Sequence, residues 1–410
     1  MKPLKSKAAG TQADFAGETW VRAGWLLDGR GLPARRDVWL GLRSGRIFKI
    51  EPFGEERRAA IDLSRATVLP LLIDAHVHLA FSGTENAAVR KEQLGYTPDQ
   101  TRAAIRTNLA AHWHHGVAAV RDGGDRRGIT LEFRQMAAGT TSAVVVKAAG
   151  AAWHAHGRYG TMIGQALPVG PPAQALQSDL AHCDHLKLIQ SGLNSIDRFG
   201  HQGLPQFSQE ALKAMVAAAH AAGRPVMVHA NGETAVRMAI EAGCDSIEHG
   251  YFMGAENLRR LADKAIVWVP TIIPMVALSQ AQGLTAAQRE VAHRTVDHQL
   301  EQVRQAHRLG VRIVLGTDAG SQGVDHGTAV RRELQLLVMA GLRVEEAVSC
   351  SASHGARLLD LNDRGAIVPG CRGDLLAVNG PPEMLVTNLE KIEAMCIAGR
   401  WRDPEILPIP

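Results

Sequence analysis

Cysteine is scarce and scattered in this sequence: Cys183, Cys244, Cys350, Cys371 and Cys396 lie far apart, with no CxxC pair. That excludes a disulfide framework and predicts a reducing, cytoplasmic compartment. Apolar runs long enough to span a bilayer are missing. The lysine-bearing start, MKPLKSKAAGTQADFAGE, carries no apolar segment of the kind a signal peptide needs. No membrane partner and no signal peptide are therefore expected, and residues 1–15 read as a flexible tail. A clustered basic stripe is absent too. The net charge of +4 is spread along the chain, which excludes a dedicated nucleic-acid surface. What remains is an ordinary soluble balance, 46% hydrophobic and 21% charged, on 410 residues. That length allows one large catalytic domain and a smaller companion.

The two ends of the chain share a texture that the middle lacks. Residues 16–68 hold short aliphatic and β-branched runs separated by glycine turns (WVRAGWLLDGRG, DVWLGLRSGRIFKIEPFG, AIDLSRATVLP), and the same pattern returns over 362–410. Neither segment can bury a good core alone, so one small β domain built from both ends is predicted. Between them, over residues 69–361, apolar runs alternate with amphipathic helical stretches. They begin with VLPLLIDAH before TPDQTRAAIRTNLAAHWHHG and end with RIVLGTDAG before TAVRRELQLLVMAG. Eight such units, with near-continuously apolar strands, predict an α/β fold with a parallel (β/α)₈ barrel, a doubly wound open sheet being the rival.

Chemistry-bearing residues recur at the ends of those strands. His76 and His78 flank Val77, so an extended chain directs both imidazoles to one side, a chelate suited to Zn²⁺. Asp318 closes the apolar run VLGTDAG, where a buried carboxylate demands a cation or a proton. The plain alternative is an aspartate capping the next turn. His229 ends PVMVHANG and His249 ends DSIEHGYF; either alone reads as a satisfied polar residue. Lys187 lies inside the apolar strand HLKLIQ, where an ammonium is costly. It either points to the strand's polar margin or is converted by CO₂ to a carbamate that can bridge two metals. Six such placements on separate units point to a metal site at the strands' C-terminal ends. The cluster His112, His114 and His115 ends a helix before Gly116 and reads as imidazoles on the helix dipole.

On these residues the chain resembles the amidohydrolase superfamily, in its imidazolonepropionase-like and prolidase-like (Xaa-Pro dipeptidase-related) branch. The resemblance runs from VLPLLIDAHVHL through HLKLIQSG, VMVHA, AGCDSIEHG and LGTDAG to ASHGARLLDLNDRGAIVPGCRGDLLAVNG, nearly the whole chain. It implies a (β/α)₈ barrel with a small β-sandwich made from both termini. It implies two divalent ions, by analogy Zn²⁺: His76, His78 and Asp318 on one, His229 and His249 on the other, and an N6-carboxylated Lys187 bridging them. A hydroxide between the ions would attack an amide carbonyl, and Asp318 would carry the water's proton to the leaving nitrogen. Two departures stand out. The family's glycine before LIDAHVH is Leu71, and the Gly-Gly-His-Gly stretch of prolidase-like members is replaced by AAWHAHGRYGTMIG, where only His156-Gly157 follows the pattern.

In that loop His154, His156, Arg158 and Tyr159 are candidate substrate contacts, with Asn231 and Tyr251 beyond the next two histidines. Arg158 would clamp the carboxylate of a dipeptide or N-acyl amino acid, unless it is simply a solvated loop arginine. The expected partner is a small-molecule amide, and a homo-oligomer is compatible with the sequence. A mononuclear cyclic-amide hydrolase of the imidazolonepropionase type, or a deaminase, is the alternative on the same fold. Deaminases place a Glu three residues after the His229 position, where this chain has Gly232 and then Glu233.

Overall fold

The computed structural model describes residues 17–402 apart from 55–56, 58–59 and 138–143, so the expected tail over 1–15 lies outside the described residues. The chain opens with an antiparallel meander, β1 (Glu18–Leu26), β2 (Arg35–Arg43) and β3 (Arg46–Pro52), and then β4 (Ala60–Pro70) returns parallel to β1. At the far end β14 (Leu375–Asn379), β15 (Ile392–Ile397) and β16 (Arg400–Arg402) add to the free side of β4. The result is one seven-stranded sheet, β16-β15-β14-β4-β1-β2-β3, drawn from both chain ends. Alternation along β1 and β2 sends Val21, Ala23, Val38, Leu40 and Leu42 into a core shared with Val68, Leu375 and Cys396.

One residue after β4 the chain enters β5 (Leu72–Val77), which carries His76, so the sheet leads directly into the candidate site. β5 pairs in parallel with β6 (Val117–Asp122), and β6 with β7 (Val145–Ala148). A second parallel set follows. It comprises β8 (Ala152–His154), β9 (Gly164–Ala166), β10 (Leu186–Ile189), β11 (Val226–Ala230), β12 (Ser246–His249) and β13 (Val267–Val269), in the order β13-β12-β11-β10-β8-β9. The fold is α/β with sheets of parallel strands. The last expected strand, around RIVLGTDAG, forms isolated bridges rather than a regular strand. Its backbone still bonds on both sides, with Trp268 N–H donating to Arg312 O (2.9 Å) and Val314 N–H to Trp268 O (3.0 Å). Toward β5, Ala75 N–H donates to Leu315 O (3.0 Å) and Asp318 N–H to His76 O (2.7 Å).

The helices form where the sequence supplies both a start signal and an apolar stripe. The helix Pro98–His114 begins at Thr97, whose hydroxyl accepts from Gln100 N–H while the Gln100 side chain answers Thr97 N–H, and Pro98 occupies its first turn. Thr101, Ile105, Asn108, Leu109, His112 and Trp113 recur at helical spacing and are buried. Burying Ile105 alone contributes about 2 kcal/mol. The helix stops at Gly116, whose φ of 76° is the left-handed conformation that glycine adopts without strain. The expectation is imidazoles on the helix dipole, and one of these histidines has a different partner. His112 is fully buried, its Nε2 3.1 Å from Nδ1 of His326, because the apolar stripe carries it inward. His115 does meet a carbonyl of the last turn, Ala111 O, at 2.8 Å.

Candidate metal centre

Four imidazoles form a continuous row at the ends of β5, β11 and β12. Ring centroids are 5.5 Å apart for His78–His76, 4.9 Å for His76–His249 and 4.6 Å for His249–His229. Asp318 reaches the same place from the bridge-forming segment, with its Oδ1 3.5 Å from His76 Nε2 and 3.3 Å from His78 Nε2. One ligand atom from each of His76, His78 and Asp318 fits within 4.8 Å of the others. Lys187, from β10, is 1% exposed, and its Nζ has no hydrogen-bond partner.

Local backbone geometry explains how consecutive residues can both face inward. His249 has φ 66° and Asp318 φ 58°, left-handed values that are uncommon outside glycine but that His and Asp adopt more readily than most residues. Each costs on the order of 1 kcal/mol and is held by the surrounding bonds. The turn at His249 lets Glu248 point between the strands while His249 also joins the cluster. Two glycines leave room for the rings. A Cβ on Gly123 would sit 2.8 Å from His78 Cε1, and one on Gly316 would sit 2.8 Å from His76 Cβ.

The rings are oriented by their outer nitrogens. His76 Nδ1 lies 2.8 Å from Glu248 Oε2, His78 Nδ1 3.0 Å from Gly124 O and His249 Nδ1 2.6 Å from Thr271 Oγ1. Each arrangement leaves Nε2 facing the cluster, the pattern by which metal-binding histidines are aimed. His229 is reversed: its Nε2 meets Gly192 O at 3.2 Å, so Nδ1 is its free nitrogen. Burial, then the charge of Lys187, pushes His76 down to about 4 and His229 down to about 3. Burial also holds His249 well below the usual imidazole range. His78 is the exception: burial pulls it down, but the hydrogen bond and charge of Asp318 outweigh that and raise it. Burial opposes ionisation of Asp318, yet His78 and the neighbouring rings hold it far below the carboxylate range. Lys187 is pushed down to about 8 by burial. An ionised carboxylate among mainly neutral imidazoles is the donor set that a borderline cation takes. The buried, unpartnered His76 Nε2 and Lys187 Nζ are the atoms such a group would satisfy. The residues present therefore fit a divalent metal.

The other expected residues are placed less uniformly. Tyr159 stands beside the row, its ring 5.5 Å from His229. His154 is buried, its Nδ1 2.9 Å from Ala155 O, while His156 is exposed. Arg158 donates through Nη2 to Leu204 O at 2.9 Å. Asn231 accepts Tyr251 N–H, and the Tyr251 hydroxyl donates to Thr271 O, so both tie loops together around the site. A depression of about 720 Å³, lined by Pro225, Asp245, Lys264, Arg312 and Arg357 among others, lies at the opposite ends of β11–β13, and none of the six groups lines it.

Sequence reasoning missed Glu248, Arg121 and Thr271. Glu248 and Arg121 carried a usable signal, since each is a charged residue within an apolar strand, the same oddity that singled out Lys187.

The chain matches the amidohydrolase family over residues 67–402 and belongs to it. Members of that family are hydrolases of carbon–nitrogen bonds and are generally metal-dependent. Among curated proteins it is similar to an ochratoxinase of Aspergillus niger, 31% identical over 172 residues, which is 41% of this chain and 35% of that protein. The chain thus spans about a third of the length of that relative. It is also similar to an imidazolonepropionase of Nocardia farcinica, 27% identical over 79% of this chain and 80% of that one. Among solved structures, a Xaa-Pro dipeptidase with methionine bound in its active site superposes with a TM-score of 0.80 at 27% identity. That match covers 94% of this chain and 100% of the other. No helix among the described residues is long and apolar enough to cross a membrane.

Proposed function

We propose that this chain is a binuclear metal-dependent amidohydrolase that cleaves the C–N bond of a small amide such as a dipeptide or N-acyl amino acid. The observation that carries the reading is Lys187, a buried amine without a partner beside four imidazoles and a carboxylate. Carboxylated by CO₂, it would trade an uncompensated cation for two ligand oxygens shared by two Zn²⁺ ions. His76, His78 and Asp318 would hold one ion, and His229 and His249 the other. A bound ion pair supplies Lewis acidity toward the amide carbonyl and toward water.

Asp318 receives the proton of the attacking water and delivers it to the leaving nitrogen. Ser321 Oγ, donating to Asp318 Oδ2 at 2.9 Å, holds the carboxylate for that transfer. Tyr159 touches substrate from beside His229. Arg158, anchored on Leu204 O, keeps other N–H groups free for a substrate carboxylate, with His154, His156, Asn231 and Tyr251 shaping the surrounding loops. In the architecture we read from this fold, β5 to β13 and residues 312–319 close a (β/α)₈ barrel over residues 69–361. The bonds from Trp268 and from β5 to the last segment support that closure. The described parts of residues 16–68 and 362–410 then belong to the companion β-sandwich domain, with the seven-stranded sheet as its core. A small-molecule substrate in a cytoplasmic setting, with the chain alone or as a homo-oligomer, completes the reading.

A mononuclear cyclic-amide hydrolase is the second reading, favoured by the compactness of the His76, His78 and Asp318 trio. A deaminase draws less support, because Glu233 starts a helix and its carboxylate lies beside Gly254 rather than among the rings. Metal content decides. About two zinc ions per chain, with hydrolysis of members of a dipeptide and N-acyl amino acid library, is the expected result. One ion per chain with activity confined to cyclic amides or to release of ammonia from an amino-substituted ring overturns it.

A further inference from the structure

Three candidates outside the ligand set stand out in the molecule: the depression at the opposite strand ends, the buried His112–His326 pair, and a charged cluster beneath the rings. The third carries an inference. We propose that Glu248, clamped by Arg121 and Ser246, is the positioning residue that holds His76 in its Nδ1-protonated tautomer and so presents Nε2 to the metal. The proposal rests on the reading that His76 binds a cation.

The Glu248 carboxylate is completely buried. Its Oε1 accepts from Ser246 Oγ at 2.6 Å and from Arg121 Nη2 at 2.8 Å. Arg121 is itself fixed, its Nε donating to Ala75 O at 2.8 Å and its Nη1 to Ser246 Oγ at 3.0 Å. With Oε1 occupied by two donors, Oε2 is left to face His76 Nδ1 at 2.8 Å. An ionised carboxylate only accepts, so this distance requires hydrogen on Nδ1 and a lone pair on Nε2. The opposite tautomer would set two lone pairs against each other and aim an N–H at the cation.

No other histidine of the row has this arrangement. His78 leans on a backbone carbonyl and His249 on a threonine hydroxyl, which can donate or accept. The cluster also ties three strands together: Arg121 comes from β6, its Nε reaches Ala75 of β5, and Ser246 and Glu248 belong to β12. One strand therefore supplies a ligand, His249, and the orienting group for a ligand on another.

Glu248→Gln tests the idea. The amide can turn its oxygen to His76 only by setting its NH₂ against the Arg121 and Ser246 donors. The reverse pose offers Nδ1 a donor and selects the wrong tautomer. Zinc affinity measured by chelator competition should fall about 10- to 100-fold. Far-UV circular dichroism should be unchanged, and Glu248→Asp, which keeps the charge, should recover part of the loss. Unchanged affinity in a folded Glu248→Gln protein overturns the proposal. Should that variant not fold, histidine-selective ¹⁵N spectra of the metal-free wild-type protein decide: His76 protonated on Nδ1 supports the assignment, and on Nε2 refutes it. A wild-type chain that takes up no zinc would instead sink the reading of the centre itself, and the ¹⁵N measurement would still judge the tautomer.

Discussion

The seven-stranded sheet and β5, the strand that carries the first ring of the cluster, are separated by one residue of chain, yet sheet and cluster are built on opposite terms. Along β1 and β2 the buried side chains are aliphatic or, at Trp20 and Trp39, indole, the strands pair in long registers, and the core cluster contains no charge. At the ends of β5, β11 and β12 the buried side chains are imidazoles, carboxylates and an amine, two of the proposed ligands sit at left-handed φ, and His76 Nε2 and Lys187 Nζ lack hydrogen-bond partners. The first region lowers the free energy of the folded state. The second raises it and stores binding capacity, as sites with strained or unsatisfied groups commonly do.

Substitutions in each region should therefore separate stability from function. Asp318→Asn keeps the shape of the side chain but removes its charge and its capacity to take a proton. Amide hydrolysis should fall by about 10³-fold or more in kcat/KM, some 4 kcal/mol, with the far-UV circular dichroism spectrum of the folded protein unchanged. Hydrolysis that survives would break the assignment of Asp318. Leu40→Ala opens a cavity in the sheet, where Leu40 has no exposure. Denaturant unfolding should show a loss of about 3 kcal/mol, while zinc content stays that of the wild type. A matching loss of zinc would mean that the two regions are energetically one.

Lys187→Met gives the smallest effect and the opposite sign. Removing an unpartnered buried amine should stabilise the metal-free protein by about 1–2 kcal/mol while lowering its capacity for a second ion. A pH signature accompanies it. Burial pushes Lys187 down to about 8, below the roughly 10.4 of an exposed lysine. Between these values the folded chain binds fewer protons than the unfolded one, so stability of the metal-free, CO₂-free protein should climb as pH rises through that window. Lys187→Met should remove the climb. A variant that is less stable than wild type at pH 7 would show that the amine has a stabilising partner in solution.

Much of this contrast was legible in the sequence. Glycine-punctuated strands at both ends and alternating units between them announced the two textures. Period-two spacing of His76 and His78 pointed to two rings on one side of the chain, and the apolar run into Asp318 pointed to a carboxylate among them, the cluster that the structure brings together. The His249 and Asp318 backbone turns were not legible, because His and Asp are only enriched at positive φ and occur far more often at ordinary φ, so their identity alone does not announce a turn that neighbouring strands impose. The Arg121–Glu248–His76 contact was hidden for a similar reason: its members are more than 40 residues apart and meet only when β5, β6 and β12 come together. The last strand was predicted as regular and is a pair of bridges, since Gly316 and the turn at Asp318 interrupt the extended run.

The glycines packed against the rings set a limit on how this site can be remodelled. Position 123 presses on one histidine and position 316 on the other, at separations that even a methyl group would violate. A combinatorial library aimed at new substrates can vary the exposed positions 156, 158 and 159, but it must leave both of these codons untouched. A replacement at 123 would press directly on the His78 ring, and one at 316 would force Val269 or His76 to give way.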